Sequence, residues 1–277
     1  MSSDLPILQF DPAREAVIEP ARLIEETDVP KAAVLCYFTE VIERLCGDGR
    51  GKIIGRPGAE GMPFPMYEIE LDGRRLAVVF PGVGAPLAAI TLEDAIAYGC
   101  RKFAVCGAAG ALVPELVAGH VVVPEVAVRE EGTSYQYIAP SREIRADAHA
   151  LSVTRSVLEE RSVPYTLGKT WTTDAVYRET RARVERRKRD GCLVVEMEAA
   201  ALMAIAHFRQ VQLAYSCTPE IRWRGRIGTT AVFAHTRSER HSSSWPPPSA
   251  SGFDEYWSAA TDGHALRWVL SRRGCDK

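Results

Sequence analysis

Apolar positions along the chain switch between two spacings: short runs that are continuous or alternating, and longer runs repeating every third or fourth residue. The segment "PKAAVLCYFTEVIERLCGDG" (30–49) opens as an apolar run and continues at helical spacing that Gly47 or Gly49 ends. "PMYEIELDGRRLAVVFPGVG" (65–84) predicts two strands joined at Asp72-Gly73, a strong hairpin signal. "APLAAITLEDAIAYG" (85–99) predicts a helix stopped by a glycine. "KFAVCGAAGAL" (102–112) predicts a buried strand opening into a glycine-containing loop, and "GHVVVPEVAVRE" (119–130) a strand pair broken at Pro124. A helix near 147–161, a strand near 163–170 and a charged helix near 177–190 follow. The segment "LVVEMEAAALMAIAHF" (193–208) then passes from β-branched residues to good helix formers near Glu198. Strands alternating with helices in this way predict an α/β sheet covered on both faces, without internal repeats.

The pattern holds to about Tyr215, which places one domain at 1–215. The stretch 216–277 holds four of the five tryptophans and the only Pro-Pro-Pro, and "HTRSERHSSSWPPPSASG" (235–252) has no periodicity. This reads as an irregular tail. A sharper reading is a shifted reading frame near Tyr215: codons for Ser216 to Ile221, regrouped one base earlier, permit Leu-Leu-Tyr-Ala-Gly-Asp, an apolar strand ending in an acid.

The 277 residues suffice for a sizeable core, and a net charge of −2 offers no general attraction to nucleic acid or an anionic membrane. The basic run "RARVERRKRD" (181–190) reads as a solvated helix face. Cys36, Cys46, Cys100, Cys106, Cys192, Cys217 and Cys275 are odd in number and lack CxxC spacing, which predicts reduced thiols and neither a disulfide frame nor a metal site. The N-terminus lacks a basic region followed by an apolar one, and no apolar run reaches spanning length. The expectation is a cytoplasmic protein that engages no membrane.

Candidate chemistry gathers at strand ends. "FPGVGAP" (80–86) opens a helix, so Gly82 and Gly84 can bring a ligand close to backbone N–H groups. It is not the dinucleotide fingerprint, because the third glycine and a following acid are missing. "CGAAGAL" (106–112) is a second small-residue loop. "REEGTSYQY" (129–137) and "KTWTTDAVYRET" (169–180) offer Tyr135, Tyr137 and Trp171 to sandwich a planar ligand, and Thr172, Thr173, Asp174 and Arg178 to bond its edge. On a helix Glu196 and Glu198 would diverge by about 200°. At a strand end, residues two apart share a face, where carboxylates can accept from a vicinal diol such as the ribose 2′ and 3′ hydroxyls.

With "PGVGAP", "CGAAGAL" and above all "VVEMEAAAL" in this order, the chain resembles the nucleoside phosphorylase family, the uridine and purine nucleoside phosphorylases with their nucleosidase relatives, over roughly residues 30–215. The resemblance implies a three-layer α/β/α fold with a mixed central sheet closing towards a barrel, in dimers or hexamers. It implies cleavage of a nucleoside's N-glycosidic bond by phosphate as co-substrate, without a cofactor. Carried over, Glu196, Met197 and Glu198 would hold the ribose. Gly82 and Gly84 with Gly107, Ala108 and Gly110 would floor the phosphate, and Thr172 to Arg178 would face the base.

Several positions depart from that pattern. An expected phosphate arginine is Val105, a loop hydroxyl is Ala108, a neighbour-subunit arginine is Met62, and 28–34 reads "DVPKAAV" instead of an early phosphate loop. Arg56 or Arg101 are the candidate substitutes. The acid that would protonate a leaving purine is expected just after Tyr215, where Glu220 is the only nearby one. These departures keep two alternatives open: a nucleosidase that uses water, and an inactive nucleoside-binding relative.

Overall fold

The computed structural model describes residues 5–71, 73–116 and 120–222, the last three as backbone only. The elements are α1 (Pro20–Leu23), β1 (Ala32–Cys36), α2 (Thr39–Cys46), β2 (Lys52–Gly55), a short hairpin of β3 (Gly58–Ala59) and β4 (Met62–Pro63), β5 (Met66–Leu71), β6 (Arg74–Val79), α3 (Ala85–Tyr98) and β7 (Lys102–Ala111). There follow β8 (Val121–Glu130), β9 (Glu143–Arg145), α4 (Ala148–Glu160), β10 (Tyr165–Thr173), α5 (Arg181–Arg189), β11 (Cys192–Glu196), α6 (Ala199–Arg209) and β12 (Gln212–Arg222).

Strand β1 is apolar throughout because both its faces are covered. Ala33 and Leu35 enter one core with α3 and α6, while Ala32, Val34 and Cys36 enter another with α2 and α4. This alternation makes the three layers. The sheet order is β11-β10-β8-β12-β7-β1-β6-β5-β2, with β9 on β8. Five of its pairings are parallel, β1–β6, β1–β7, β7–β12, β8–β10 and β10–β11, and five are antiparallel, β5–β6, β2–β5, β8–β9, β12–β8 and β11–β7. The β11–β7 pairing closes β7, β12, β8, β10 and β11 into a ring, so the mixed sheet does curl into a barrel at one end.

That closure explains the small residues of β7. "CGAAGAL" is not a loop: β7 continues as strand to Ala111, pairing with β12 along its length and with β11 at Gly110 and Ala111. A Cβ on Gly110 would lie 2.9 Å from Val195 Cγ1, so the strands meet there only because a side chain is missing. Pro124 likewise does not divide two strands. It sits within β8 opposite Gly168, where β10 shifts register and removes the need for a donor.

The basic run is only partly a solvated face. Arg187 is buried and its Nε donates to Glu130 at 3.0 Å, and Arg183 pairs with the same carboxylate. The thiols of Cys36, Cys46, Cys100, Cys106, Cys192 and Cys217 are free and buried. Strand β12 runs past Tyr215, pairing with β7 as far as Arg222 and burying Cys217 and Thr218. The rest of the expected tail, and the side chain of Glu220, lie outside the described residues. Among those described, no helix is long and apolar enough to cross a membrane.

Candidate functional site

The site is built where β11 turns into α6. Strands β10 and β11 run parallel with Thr172 in register beside Glu196, and Thr170 shares that face. Both hydroxyls donate to Glu196 Oε1, at 3.1 Å from Thr170 and 2.6 Å from Thr172. Oε2 accepts from the N–H of Glu198 at 2.7 Å, of Ala199 at 2.6 Å and from the Tyr215 hydroxyl at 3.2 Å. Thr172 Oγ1 in turn accepts from Ala200 N–H at 3.0 Å. Glu196 and Thr172 therefore satisfy the otherwise orphaned N–H groups of the first turn of α6, where a carboxylate is also favoured by the helix dipole. Burial pushes the Glu196 carboxyl above its usual range against these hydrogen bonds.

Glu198 has a different environment. Its carboxylate accepts from Gly84 N–H at 2.6 Å and, among the described residues, pairs with no cation. It is 5% exposed. Burial, and then the negative charge of Glu196, raise its pKa to about 8, opposed by the backbone of Gly84 and Met197. Gly84 caps α3 at φ 95°, and Gly82 stands at φ 80°, where a Cβ would strike Leu87 at 2.4 Å. The glycine loop thus reaches Glu198, and the Gly84 N–H expected to meet phosphate is engaged by a carboxylate. Met197, partly buried, lies between the two acids.

The other predicted residues divide. Thr172 belongs to the junction, where its hydroxyl is engaged by Glu196 and Ala200. Asp174 is exposed, its Oδ2 accepts from Gly132 N–H at 2.8 Å, and its charge reaches Glu198. Thr173 Oγ1 accepts from Ala175 N–H at 3.3 Å within a turn. Arg178 is exposed, and its carbonyl accepts from Arg183.

The aromatic sandwich does not form. Trp171 is 0% exposed in a core with Val128, Val184 and Val195. Tyr137 packs edge-on against Phe208 and bonds Glu93, and Tyr135 lies under the Arg129 guanidinium at 4.2 Å. Gly107, Ala108 and Gly110 lie on β7, with Ala108 exposed.

Arg101 Nη1 donates to the Ile96 and Cys100 carbonyls at 2.6 and 2.8 Å, which puts it at the C-terminal end of α3, about 20 Å along the helix axis from Gly84. The backbone N–H of Arg56 lies 3.4 Å from the Tyr98 hydroxyl. Ser216 to Pro219 supply no acid after Tyr215. Two tyrosines are brought in that sequence reasoning missed, Tyr215 on Glu196 and Tyr37 directly after β1. The prior signal was slight: Tyr37 follows an apolar run, and Tyr215 lies in the short apolar stretch "VQLAY".

A carboxylate just after a strand and a glycine loop meet at the carboxyl edge of a sheet that curls into a barrel, the edge where α/β proteins place their ligands. The chain belongs to the phosphorylase superfamily, whose family model matches residues 31–219. It is 29% identical over 203 residues to the guanosine phosphorylase of Halorubrum lacusprofundi, covering 72% of this chain and 82% of that one. It is 33% identical over 105 residues to the uridine phosphorylase of Thermococcus kodakarensis, 38% of each chain. Among solved structures, uridine phosphorylase from Vibrio fischeri ES114 matches with a TM-score of 0.66 at 20% identity, over 89% of this chain and 92% of that one. AMP nucleosidase from Bacteroides thetaiotaomicron matches at 0.61 and 20%, over 70% and 82%. These two likenesses bear on the fold.

Proposed function

We propose that the chain is a nucleoside phosphorylase-type pentosyltransferase: phosphate cleaves the N-glycosidic bond of a purine or pyrimidine nucleoside, giving free base and ribose 1-phosphate. The observation that carries this reading is Glu198, a buried carboxylate at the junction of β11 and α6 that, among the described residues, only backbone N–H groups reach. Two adjacent sugar hydroxyls are the donors its remaining lone pairs lack. Glu196 holds the turn that aims Glu198, so its part in ribose binding is positional, and Met197 lines the sugar between them.

As the C1′–N bond breaks, positive charge develops on the sugar, and Glu198, ionised once the sugar hydroxyls donate to it, stabilises that charge in a medium of low dielectric. Phosphate oxygen forms the new bond at C1′, and the electron pair of the broken bond leaves with the base, which takes a proton. In this reading the phosphate side rests on backbone in the glycine loop and β7 without an arginine, which favours a high KM for phosphate. Hydrolysis is the less favoured outcome, since the curated relatives named above are phosphorylases.

The same reading places the enzyme in nucleoside salvage in the cytoplasm as a homo-oligomer, dimer or hexamer, without a cofactor. Titration calorimetry tests the site. Glu198→Ala should abolish binding of guanosine and uridine while circular dichroism stays unchanged; unaltered affinity refutes the assignment.

A further inference from the structure

Tyr37 follows β1 directly, and its N–H continues the β1–β7 pairing by donating to the Cys106 carbonyl at 3.0 Å. Its ring is fixed on two sides. Phe80 packs edge-on at 6.2 Å and is itself braced by Phe64 at 5.0 Å. On the other side lies Gly107, where a Cβ would stand 3.0 Å from the ring. The missing side chain on β7 thus makes room for this phenol.

Tyr37 as a whole is partly exposed, yet its hydroxyl oxygen is enclosed and finds no hydrogen-bond partner among the described residues. An orphaned buried hydroxyl costs about 1–3 kcal/mol, so its retention calls for a partner that arrives from outside. Burial first, and then the charges of the site acids Glu198 and Glu196, push the phenol well above its ordinary pKa. It is therefore a neutral donor beside an acceptor.

We propose that Tyr37 is a second sugar-recognising residue, whose phenol donates to the same ribose hydroxyl from which Glu198 accepts. This rests on the assignment of Glu198 to the ribose. A hydroxyl has one donor and two acceptor sites, so a carboxylate and a phenol together satisfy it in a way a C–H group cannot match. The pair selects ribonucleosides over the deoxynucleoside that lacks that hydroxyl.

The test measures kcat/KM of the full chain and of Tyr37→Phe for guanosine and uridine with their 2′-deoxy and 3′-deoxy analogues, alongside Tm. The phenylalanine variant should lose about tenfold on the ribonucleosides. One analogue series, whose identity reports which hydroxyl is held, should show no further loss. Tm should be equal or higher, because an orphaned hydroxyl has been removed. Gly107→Ala, which presses a methyl group against the ring, should lower the same ribo-to-deoxy ratio. Equal losses on all substrates, no loss at all, or a loss accompanied by a lower Tm overturns the inference and leaves the Glu198 reading standing. Failure of the unmodified chain to bind or cleave any nucleoside overturns both.

Discussion

Replacing Glu198 by glutamine preserves shape and the acceptor for Gly84 N–H while removing a charge that the fold disfavours. The carboxyl moves from an ordinary 4.5 to about 8 on folding. For an acid whose pKa is raised, the folded state holds its proton more tightly than the unfolded chain. Its contribution is therefore fully present below about 4.5 and is lost as pH rises towards 8. At pH 7 the unfolded carboxyl is ionised and the folded one is not, a gap of roughly 2.5 units, or about 3 kcal/mol. At pH 5 the same reckoning leaves under about 1 kcal/mol. Glu198→Gln should therefore lie within about 1 kcal/mol of the parent at pH 5 and exceed it by about 3 kcal/mol at pH 7. For a chain of this size that is a Tm increase of about 6–12 °C. Urea titrations at pH 5, 6, 7 and 8 read the gap directly. A gap that does not grow with pH, or a variant less stable at pH 8, refutes the reasoning.

Donation by sugar hydroxyls favours the ionised carboxyl, so guanosine or uridine binding at pH 7 should release protons. Calorimetry in buffers of different ionisation enthalpy measures this, and zero release or net uptake contradicts it. Thr172→Val removes the 2.6 Å donor to Glu196 and orphans Ala200 N–H, which should cost about 1–3 kcal/mol in urea denaturation; a change within about 0.5 kcal/mol contradicts the junction described. Gly110→Ala places a methyl 2.9 Å from Val195 Cγ1 and should cost about 1–3 kcal/mol, largely restored by adding Val195→Ala. Strictly additive losses would show that this crossing is not where the strands are crowded.

The acid pair was legible because strand periodicity and helix propensity change over at one place, and β11 does end at Glu196 with α6 starting at Ala199. Sequence spacing could not divide the two roles, because the donors that claim Glu196 come from β10 and β12, remote in sequence. The run at 106–112 misled because glycine and alanine serve loops and close strand crossings alike, and only the partner strand distinguishes them. Trp171 and Tyr137 have ligand-stacking chemistry, but burial is a tertiary property, and both are enclosed by neighbours on other elements. β2, β9 and the β3–β4 hairpin are too short to show a period. Tyr37 shows nothing in sequence beyond its place after an apolar run, and its role depends on the gap left by Gly107.

Phosphorolysis is measured by incubating the full chain with guanosine and with uridine, with and without inorganic phosphate, and quantifying free base and ribose 1-phosphate together. The two products should appear in equal amounts and only when phosphate is present. Base released at the same rate without phosphate, with free ribose in place of ribose 1-phosphate, would contradict it.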